Sequence, residues 1–363
     1  MTSPRTYLFA GGGSGGHLMP GLAVAEELRN RDPACEIVFA VSGRPIEQTV
    51  LADSDVRREC LPAHPPGTLR RSPFRFAFGL GRSLHRAIRL IDELRPAAVI
   101  GLGGFASVPV AVTAVRRSVP LILLEQNVVP GRATSWLSRT AEVVCLSFHE
   151  TRTFLPPRTR TIVTGNPLRR SIALSARRKT AGDLMILGGS QGAAGVNAAA
   201  TAAIIAMKDR LAGRTIVHQT GERDANAVRT AYERAGIDAE VAAYFPDLLS
   251  RYTKVELAIS RAGATTLAEL ACLGCPAVLM PYPGSVRNHQ QRNAEHYRNA
   301  GGASIVPDGP EAANHLVHVL DRLLSDPEKS KAMSHSMHRT AMPDSAARVA
   351  DLILPRVASR TAA

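Results

Sequence analysis

Two segments of this chain share one pattern, an apolar strand followed by a run of glycines and then an alanine-rich helix. The first segment is LFAGGGSGG at 8–16, and the second is LMILGGSQG at 184–192. Glycines between a strand and a helix let the backbone turn sharply and approach a ligand closely. A chain that carries this unit twice is expected to fold as two doubly wound, Rossmann-like α/β domains.

Short apolar runs alternate with helical patterns along the chain, which is typical of parallel sheets with right-handed crossovers. The predicted strands are Thr6–Ala10, Ile37–Val41, Ala98–Leu102, Leu121–Leu124, Val143–Leu146, Leu184–Leu187, Thr215–His218, Leu257–Ile259 and Ala277–Met280. The predicted helices are Gly21–Asn30, Ser83–Leu94, Gly192–Met207, Thr265–Ala271 and His289–Asn299.

The pattern restarts after Thr164–Pro167, so an N-terminal domain is expected over residues 1–164 and a C-terminal domain over 165–341. Leu168–Thr180 is basic and rich in small residues, and is interpreted as a linker. A last helix within residues 342–363 is a candidate to pack back on the first domain. Two such domains are expected to face a central cleft, where ligands would bind at the carboxyl ends of both sheets.

Composition limits the classes of protein that remain. Apolar residues make up 45% of the chain and charged residues 21%, which argues against extended disorder. The formal charge of +13 fits an acidic partner such as a nucleotide, a diphosphate, nucleic acid or an anionic bilayer, and fits solvated arginines equally well. The first residues lack the features of a signal peptide, and the uncharged stretches Pro96–Val115 and Leu184–Met207 contain glycine pairs, so no membrane-spanning helix is expected.

The five cysteines are scattered, which fits reduced thiols in a cytoplasm. Cys272 and Cys275 form a C-x-x-C without a second pair, so small buried residues are a better interpretation than a zinc site. The D-x-D at Asp53–Asp55 is interpreted as a surface turn rather than a metal site. No tightly bound cofactor is expected, and the sequence identifies no site for a divalent cation.

The first glycine run also matches G-x-G-x-x-G, the fingerprint of dinucleotide-binding folds. The second predicted strand is followed by Arg44 instead of an acidic residue, and an arginine there could accept a 2′-phosphate. An NADP-dependent oxidoreductase therefore stays open on these residues alone. It leaves the second glycine run unexplained.

A second candidate site is Ser260–Glu269, which follows a strand and opens a helix. Thr265, Thr266 and the first-turn amides would suit a phosphate. Glu269 lies about one turn further on, where a carboxylate could accept hydrogen bonds from two adjacent ribose hydroxyls. An ordinary helix start explains the same pattern. Asn288–Asn293 adds many donors and acceptors of the kind that bind sugars.

These residues carry a family resemblance. Nine motifs occur in order between about Tyr7 and Asp308, and together they resemble the MurG family of peptidoglycan N-acetylglucosaminyltransferases, which has the GT-B architecture. The motifs are GGGSGGH at 11–17, PGLAVAEEL at 20–28, GLGGFAS at 101–107, EQN at 125–127, GNPLR at 165–169, GGSQGA at 188–193, HQTG at 218–221, RAGATTLAEL at 261–270 and HQQRNA at 289–294.

The resemblance implies that the C-terminal domain binds UDP-GlcNAc. Phe245 would offer its backbone to the uracil, Glu269 would hold the ribose hydroxyls, and Gln290 would bind the GlcNAc hydroxyls. The diphosphate pocket would be lined by Ser190, Ala264, Thr265, Thr266, Leu267 and Ala268. Arg169 matches the family's basic residue at the domain junction.

The N-terminal glycine loops at 11–16 and 101–104 would bind the diphosphate of a lipid-linked acceptor. Ser14, Gly15, Gly16 and Asn127 would also approach the donor sugar. The implied reaction is an inverting displacement in which the acceptor hydroxyl attacks the anomeric carbon and UDP leaves. His17 is the candidate general base, and it equally suits a hydrogen bond to a phosphate or to the loop. No nucleic-acid partner is expected.

Membrane contact is expected through segment 69–95, which is rich in arginine and carries three phenylalanines. Phe74, Phe76 and Phe78, with Arg70, Arg71 and Arg75, would rest on an anionic leaflet. A helix packed on its own domain better explains Leu84, Ile88 and Ile91. The family places its membrane patch in this region, so a peripheral location on the cytoplasmic face of the inner membrane is expected.

The sequence departs from the family pattern mainly on the acceptor side. Ser14 replaces a threonine, Phe105 a tyrosine, Val108 a glycine, and Ala262 a serine, while Arg287 and Asn288 occupy an often acidic stretch. A UDP-GlcNAc epimerase or related GT-B enzyme with a different acceptor therefore remains as an alternative. A silent, membrane-docked binding protein is a further one.

Overall fold

The computed structural model describes residues 4–13, 15–52, 54–62, 72–175, 182–188, 192–245 and 247–361. Two compact units emerge from it. One unit combines residues 1–170 with residues 342–363, and the other covers residues 171–341. Each unit is built on one parallel sheet with helices against it.

The N-terminal unit has a seven-stranded parallel sheet in the order β3-β2-β1-β4-β5-β6-β7. Its strands are β1 Thr6–Gly11, β2 Glu36–Val41, β3 Arg57–Cys60, β4 Ala98–Gly103, β5 Leu121–Glu125, β6 Val143–Leu146 and β7 Thr161–Val163. Its helices are α1 Gly15–Arg31, α2 Pro45–Leu51, α3 Pro73–Leu94, α4 Ser107–Arg116, α5 Arg132–Leu137 and the 3₁₀ turn His149–Phe154, with α6 Arg170–Ala173 at the boundary between the units.

Buried layers lie on both faces of this sheet, which is why its central strands are continuous apolar runs. Phe9 stacks on Phe39 of the neighbouring strand at 4.9 Å between ring centroids, on the face covered by α1. Leu8 and Ala10 alternate to the opposite face and pack with α3 and α4. Burial on both faces fixes the register, because a slip of one residue would exchange the two layers.

The C-terminal unit has a six-stranded parallel sheet in the order β10-β9-β8-β11-β12-β13. Its strands are β8 Asp183–Leu187, β9 Ile216–Gln219, β10 Ala239–Ala242, β11 Val255–Ser260, β12 Ala277–Leu279 and β13 Ala303–Ile305. Its helices are α7 Ala194–Ala206, α8 Ala225–Ala235, α9 Leu248–Tyr252, α10 Ala264–Cys272, α11 His289–Asn299, α12 Ala312–Ser325 and α13 Pro327–Arg339, with 3₁₀ turns at Lys208–Leu211 and Val286–Asn288.

Four strands were not predicted, and they are the four edge strands of the two sheets: β3, β7, β10 and β13. Each is short and largely half-buried or exposed; β3 reads RREC and carries two exposed arginines. An edge strand lacks a neighbour on one side and therefore needs no continuous apolar run. Hydrophobic pattern alone does not detect such strands.

Two helices begin several residues earlier than predicted. Helix α1 begins at Gly15 instead of Gly21 and continues through Pro20, which has no N–H to donate to the helix. Helix α3 begins at Pro73 instead of Ser83, because proline suits the first turn of a helix. The phenylalanines at 74–78 consequently lie on a helix.

Helix α3 presents two different surfaces. Ile91 is buried in the sheet layer, whereas Leu84 and Ile88 are half-buried, consistent with a helix packed on its own domain. Phe74 and Phe78 are 88% and 69% exposed, one turn apart. Phe76 is only half-buried, so the exposed aromatic surface is smaller than the sequence predicts. Arg70 and Arg71 lie outside the described residues.

No helix among the described residues combines the length and apolar character needed to cross a membrane. The two uncharged stretches that reach spanning length are each divided between a strand and a helix. The first covers β4 and α4, and the second covers β8 and α7.

The last helix, α14 Ser345–Thr361, packs against α1 in the N-terminal unit. Val349 and Ile353 are fully buried in the layer that contains Phe9. An ion pair between Arg31 and Asp351 joins the two helices at their rim. The N-terminal unit is therefore completed by residues that follow the other unit in the chain.

Ile353→Ala is expected to lower the free energy of unfolding of the N-terminal unit by about 2–5 kcal/mol, because it opens a cavity in a packed layer. Arg348→Ala, on the exposed side of the same helix, is the matched control and should change it by about 0.5 kcal/mol or less. The measurement is hydrogen exchange of the β1 amides across a urea series. Equal protection in both variants would refute a structural role for this contact.

Candidate functional site

The carboxyl edge of the C-terminal sheet holds the predicted nucleotide site. Strand β11 ends at Ser260, and α10 begins at Ala264 with Gly263 as its N-cap. First-turn N–H groups of a helix have no partner within the helix, and they lie at the positive end of its dipole. A helix start of this kind suits the phosphates of a nucleotide.

Side chains at the start of α10 point in two directions. Leu267 is fully buried in the core, and Ala264 is also buried, so these two could line a ligand only with their main chain. Thr265, Thr266 and Ala268 are half-buried and lie on the outer side of the first turn. The hydroxyls predicted to meet a diphosphate are therefore at the accessible face of the helix start.

Glu269 lies one turn further along α10 and is 8% exposed. One of its carboxylate oxygens accepts a hydrogen bond from the Tyr252 hydroxyl at 3.0 Å. Burial, followed by the charge of Glu269, raises the pKa of Tyr252 well above its usual value, so the phenol keeps its proton and donates. This bond fixes the orientation of the carboxylate predicted to hold a ribose.

Helix α11 is attached to the turn before α10 through Asn293, which the sequence analysis grouped with the sugar-binding candidates. Asn293 is fully buried, and its amide donates to the Ala262 carbonyl at 3.1 Å. Gln290 lies one turn earlier on α11, and its side-chain carbonyl accepts from the Tyr282 N–H at 2.9 Å. The Gln290 NH₂ group is therefore the end that could donate to a sugar hydroxyl.

Phe245 occupies a buried position after β10, and its main-chain N–H donates to the side-chain carbonyl of Gln219 at 3.2 Å. A uracil could use that N–H only by displacing Gln219. The Arg251 guanidinium covers the Phe245 ring at 4.2 Å from its centroid. Gln219 belongs to the HQTG motif, and its side chain positions the Phe245 main chain. The motif does not predict this contact.

An ion pair stabilises the turn that precedes α10. Arg261 and Asp308 approach to 2.6 Å and are both largely buried, and Arg261 also donates to the Met280 carbonyl at 3.0 Å. The Asp308 carboxylate lies against Gly195 at the start of α7, so closely that a Cβ on Gly195 would collide with it. Nothing in the sequence around Asp308 predicted this contact.

The histidine of the HQTG motif is structural. His218 is fully buried and contacts the Tyr232 hydroxyl at 3.1 Å and the Asn197 side-chain oxygen at 3.2 Å. Burial lowers the pKa of His218 to about 3. Its imidazole is therefore neutral at physiological pH, and it links α7, α8 and β9 below the ligand face.

The predicted acceptor loops meet at the carboxyl edge of the N-terminal sheet. Gly11 has a φ of +150°, and a Cβ there would be 2.7 Å from the Gly103 carbonyl oxygen. Gly104 has a φ of +75°, and a Cβ there would be 2.7 Å from the Gly12 carbonyl oxygen. The His17 ring lies over Gly103, at the first turn of α1. The structure thus brings both loops and the candidate base together.

A buried carboxylate is hydrogen-bonded to the first glycine loop. Glu47 of α2 is 1% exposed and accepts from the Gly13 N–H at 2.7 Å, the Ser42 hydroxyl at 2.7 Å and the Arg44 N–H at 2.9 Å. The sequence analysis missed Glu47 because it lies outside the glycine motif. One loop amide predicted to meet a diphosphate is therefore already bonded.

Asn127 follows β5, which neighbours β4 in the sheet. The main-chain N–H of Asn127 donates to the Glu125 carboxylate at 3.1 Å. Glu125 also accepts from the Gly131 N–H at 3.0 Å. Burial raises the pKa of Glu125, an effect that these donors oppose. Glu125 therefore sets the conformation of the turn that presents Asn127.

The remaining predicted residues are placed as follows. Gly15 and Gly16 form the first turn of α1, and Arg169 is exposed, with its guanidinium 3.2 Å from the Met19 sulfur. Ser14 and Ser190 lie outside the described residues, as does Asp53. Within the described ranges no three His, Cys, Asp or Glu side chains are grouped as a metal site would require.

Comparison with known proteins identifies the family and the fold. Residues 7–146 match the glycosyltransferase family 28 N-terminal domain, and residues 184–349 match the glycosyltransferase family 28 C-terminal domain. The crystal structure of Acinetobacter baumannii MurG superposes with a TM-score of 0.77 at 26% identity, covering 97% of this chain and 100% of that one. The structure of UDP-GlcNAc 2-epimerase from Neisseria meningitidis has a TM-score of 0.69 at 12% identity, covering 97% and 100%, a likeness of fold alone.

Among curated relatives, a Geobacter sulfurreducens protein is 36% identical over 354 residues, covering 95% of this chain and 96% of its own length. It is named UDP-N-acetylglucosamine–N-acetylmuramyl-(pentapeptide) pyrophosphoryl-undecaprenol N-acetylglucosamine transferase. The expected family and the GT-B fold are thereby confirmed. With both domain matches and a full-length relative at this identity, the chain belongs to glycosyltransferase family 28 and, within it, to the MurG family.

Proposed function

We propose that this protein is an inverting glycosyltransferase that moves N-acetylglucosamine from UDP-GlcNAc to undecaprenyl-diphospho-N-acetylmuramyl pentapeptide, in peptidoglycan synthesis. The observation that carries this proposal is the full-length relationship to transferases named for that reaction. The arrangement of the two carboxyl edges supports it. One presents a carboxylate beside a helix N-terminus, and the other presents glycine turns beside a histidine.

The donor binds, in this proposal, to the C-terminal unit. The start of α10 receives the diphosphate, and Glu269, oriented by Tyr252, accepts hydrogen bonds from the ribose. Gln290 donates its NH₂ group to the sugar, because its carbonyl is bonded to Tyr282. Burial of the Glu269 carboxylate makes the ribose bond selective, since a ligand lacking the hydroxyl would leave that carboxylate unpaired.

The acceptor binds to the N-terminal glycine turns, and its sugar hydroxyl attacks the anomeric carbon of the donor. His17 is the candidate to remove the hydroxyl proton, because its ring lies over Gly103 where the two turns meet. The C1–O bond to UDP breaks as the new C1–O bond forms, and the donor-site amides stabilise the departing diphosphate. The proton leaves with His17 or with solvent.

UDP release from UDP-GlcNAc is expected to depend on a short-chain analogue of the N-acetylmuramyl-pentapeptide lipid diphosphate. The measurement is a coupled UDP assay with and without that analogue, with the disaccharide product identified by mass spectrometry. Conversion of UDP-GlcNAc to its 2-epimer without acceptor would replace the proposal by an epimerase. Donor binding with neither reaction would indicate a silent binding protein.

Glu269→Ala is expected to weaken UDP-GlcNAc binding by about 1–3 kcal/mol, the cost of removing a buried hydrogen-bonding partner. Tyr252→Phe is the matched control, because it removes the bond that orients Glu269 but keeps the carboxylate. Isothermal titration should give the control a clearly smaller loss. Unchanged affinity in Glu269→Ala would remove Glu269 from the ribose site.

Membrane docking is proposed through the start of α3, at the cytoplasmic face of the inner membrane. Phe74 and Phe78 are exposed on one side of this helix, and the Arg82 guanidinium lies 5.8 Å from the Phe78 ring centroid. Exposed aromatic rings beside cations suit the interface of an anionic bilayer, where each cation contributes about 1 kcal/mol.

The double variant Phe74→Ser, Phe78→Ser is expected to reduce binding to anionic liposomes by about 10-fold or more, from the apolar area it removes. Turnover of a soluble acceptor should be unaffected. Phe154→Ser, which changes a partly exposed ring elsewhere in the unit, is the control. Co-sedimentation of the double variant equal to that of the control would contradict this docking surface.

A further inference from the structure

Arg44 is the residue whose sequence position suggested a 2′-phosphate, and the proposed reaction gives it no role. It precedes α2, and its guanidinium lies between the two glycine turns of the N-terminal unit. One guanidinium nitrogen is 3.5 Å from the Gly13 carbonyl oxygen. The guanidinium carbon is 5.2 Å from the centroid of the Phe105 ring, which follows Gly104.

No carboxylate within the described ranges forms an ion pair with the Arg44 side chain. Glu47 is close in sequence, but it accepts from the main-chain N–H of Arg44, and its remaining bonds go to Ser42 and Gly13. The guanidinium contacts a carbonyl and an aromatic face instead. Both contacts orient the group and leave its positive charge without a carboxylate partner.

The same region has an electrostatic problem that a cation would solve. Glu47 places a buried carboxylate under the first glycine turn and occupies the Gly13 N–H. A diphosphate at this turn therefore loses one amide donor and approaches a negative charge, which is unfavourable at short range. Arg44 is half-buried beside that turn and carries the opposite charge.

We propose that Arg44, held against Phe105, is a ligand of the acceptor's diphosphate; this inference rests on the proposed function. A planar guanidinium donates two parallel hydrogen bonds to phosphate oxygens, a geometry that an ammonium group does not reproduce. The Phe105 ring keeps the guanidinium beside the second glycine turn. Phe105 takes the place of the family's usual tyrosine, so this departure leaves the aromatic surface in place without its hydroxyl.

The test is steady-state kinetics of Arg44→Ala and Arg44→Lys with UDP-GlcNAc and the short-chain lipid acceptor. Arg44→Ala is expected to raise the acceptor KM by about 10- to 100-fold, the range for a lost charge-assisted hydrogen bond. The donor KM should change by less than about two-fold, a threshold well below that loss. Arg44→Lys should fall between, because it keeps the charge and loses the fork.

Arg117→Ala is the matched control, because it removes an arginine of the same unit that is paired with Asp92 on the surface. It should leave both constants unchanged. An acceptor KM for Arg44→Ala within two-fold of wild type overturns the inference. An equal rise in donor KM overturns it as well, since the diphosphate recognised would then be that of UDP.

Farnesyl diphosphate separates this inference from the proposed function. Its binding to the wild-type chain is expected to weaken by about 10-fold or more in Arg44→Ala, measured by titration calorimetry without donor. If Arg44→Ala weakens this binding but the wild-type chain shows no turnover, Arg44 is a diphosphate ligand and the transferase proposal is wrong. If the chain is an active transferase but Arg44→Ala binds farnesyl diphosphate as tightly as wild type, the transferase proposal stands and the Arg44 inference is wrong. Circular dichroism of both variants verifies that each is folded.

Discussion

The N-terminal unit depends on a contact between two stretches of backbone. The turns that follow β1 and β4 approach so closely that a side chain at Gly11 or at Gly104 would collide with a carbonyl of the other turn. The strands are neighbours in the sheet, so the turns that lead into α1 and α4 lie side by side, although the two helices cover opposite faces. The glycines therefore do more than permit sharp turns. They determine how near to each other the two turns can lie.

In the C-terminal unit the turn at the carboxyl edge is also held in one conformation, but by side chains. Its turn before α10 is stabilised by side chains instead of by backbone contact: Asn293 binds the Ala262 carbonyl, and Arg261 pairs with Asp308. The layer below contains the neutral, buried His218, bonded on both nitrogens. Polar groups this deeply buried are costly unless satisfied, so they restrict the unit to one arrangement of α7, β9 and α11.

The sequence predicted most of the fold because the central strands are buried on both faces and therefore appear as unbroken apolar runs. The sequence also predicted the glycine turns and the start of α10, because a strand followed by a glycine and a helix is a pattern of neighbouring residues. The four edge strands leave none. Nor do Glu47 and Asp308, whose importance comes from contacts with residues distant in the chain. Family resemblance supplied the proposed role of Glu269, whereas its bond to Tyr252 joins residues 17 positions apart and leaves no local sequence pattern. The predicted helix at Ser83–Leu94 is too short, because α3 begins at Pro73. Its first turns include Phe76, which is half-buried instead of exposed.

The position of α14 has a consequence for how the protein is made. Its buried face completes the layer that contains β1 and α1, yet its residues leave the ribosome after every residue of the C-terminal unit. Residues 1–170 of the N-terminal unit are translated first, and part of their apolar layer is uncovered until α14 is made. Domains usually fold in the order of their synthesis. In this chain the apolar face of α1 stays uncovered until α14 has been synthesised, so the N-terminal unit cannot complete this layer before the C-terminal unit has been made.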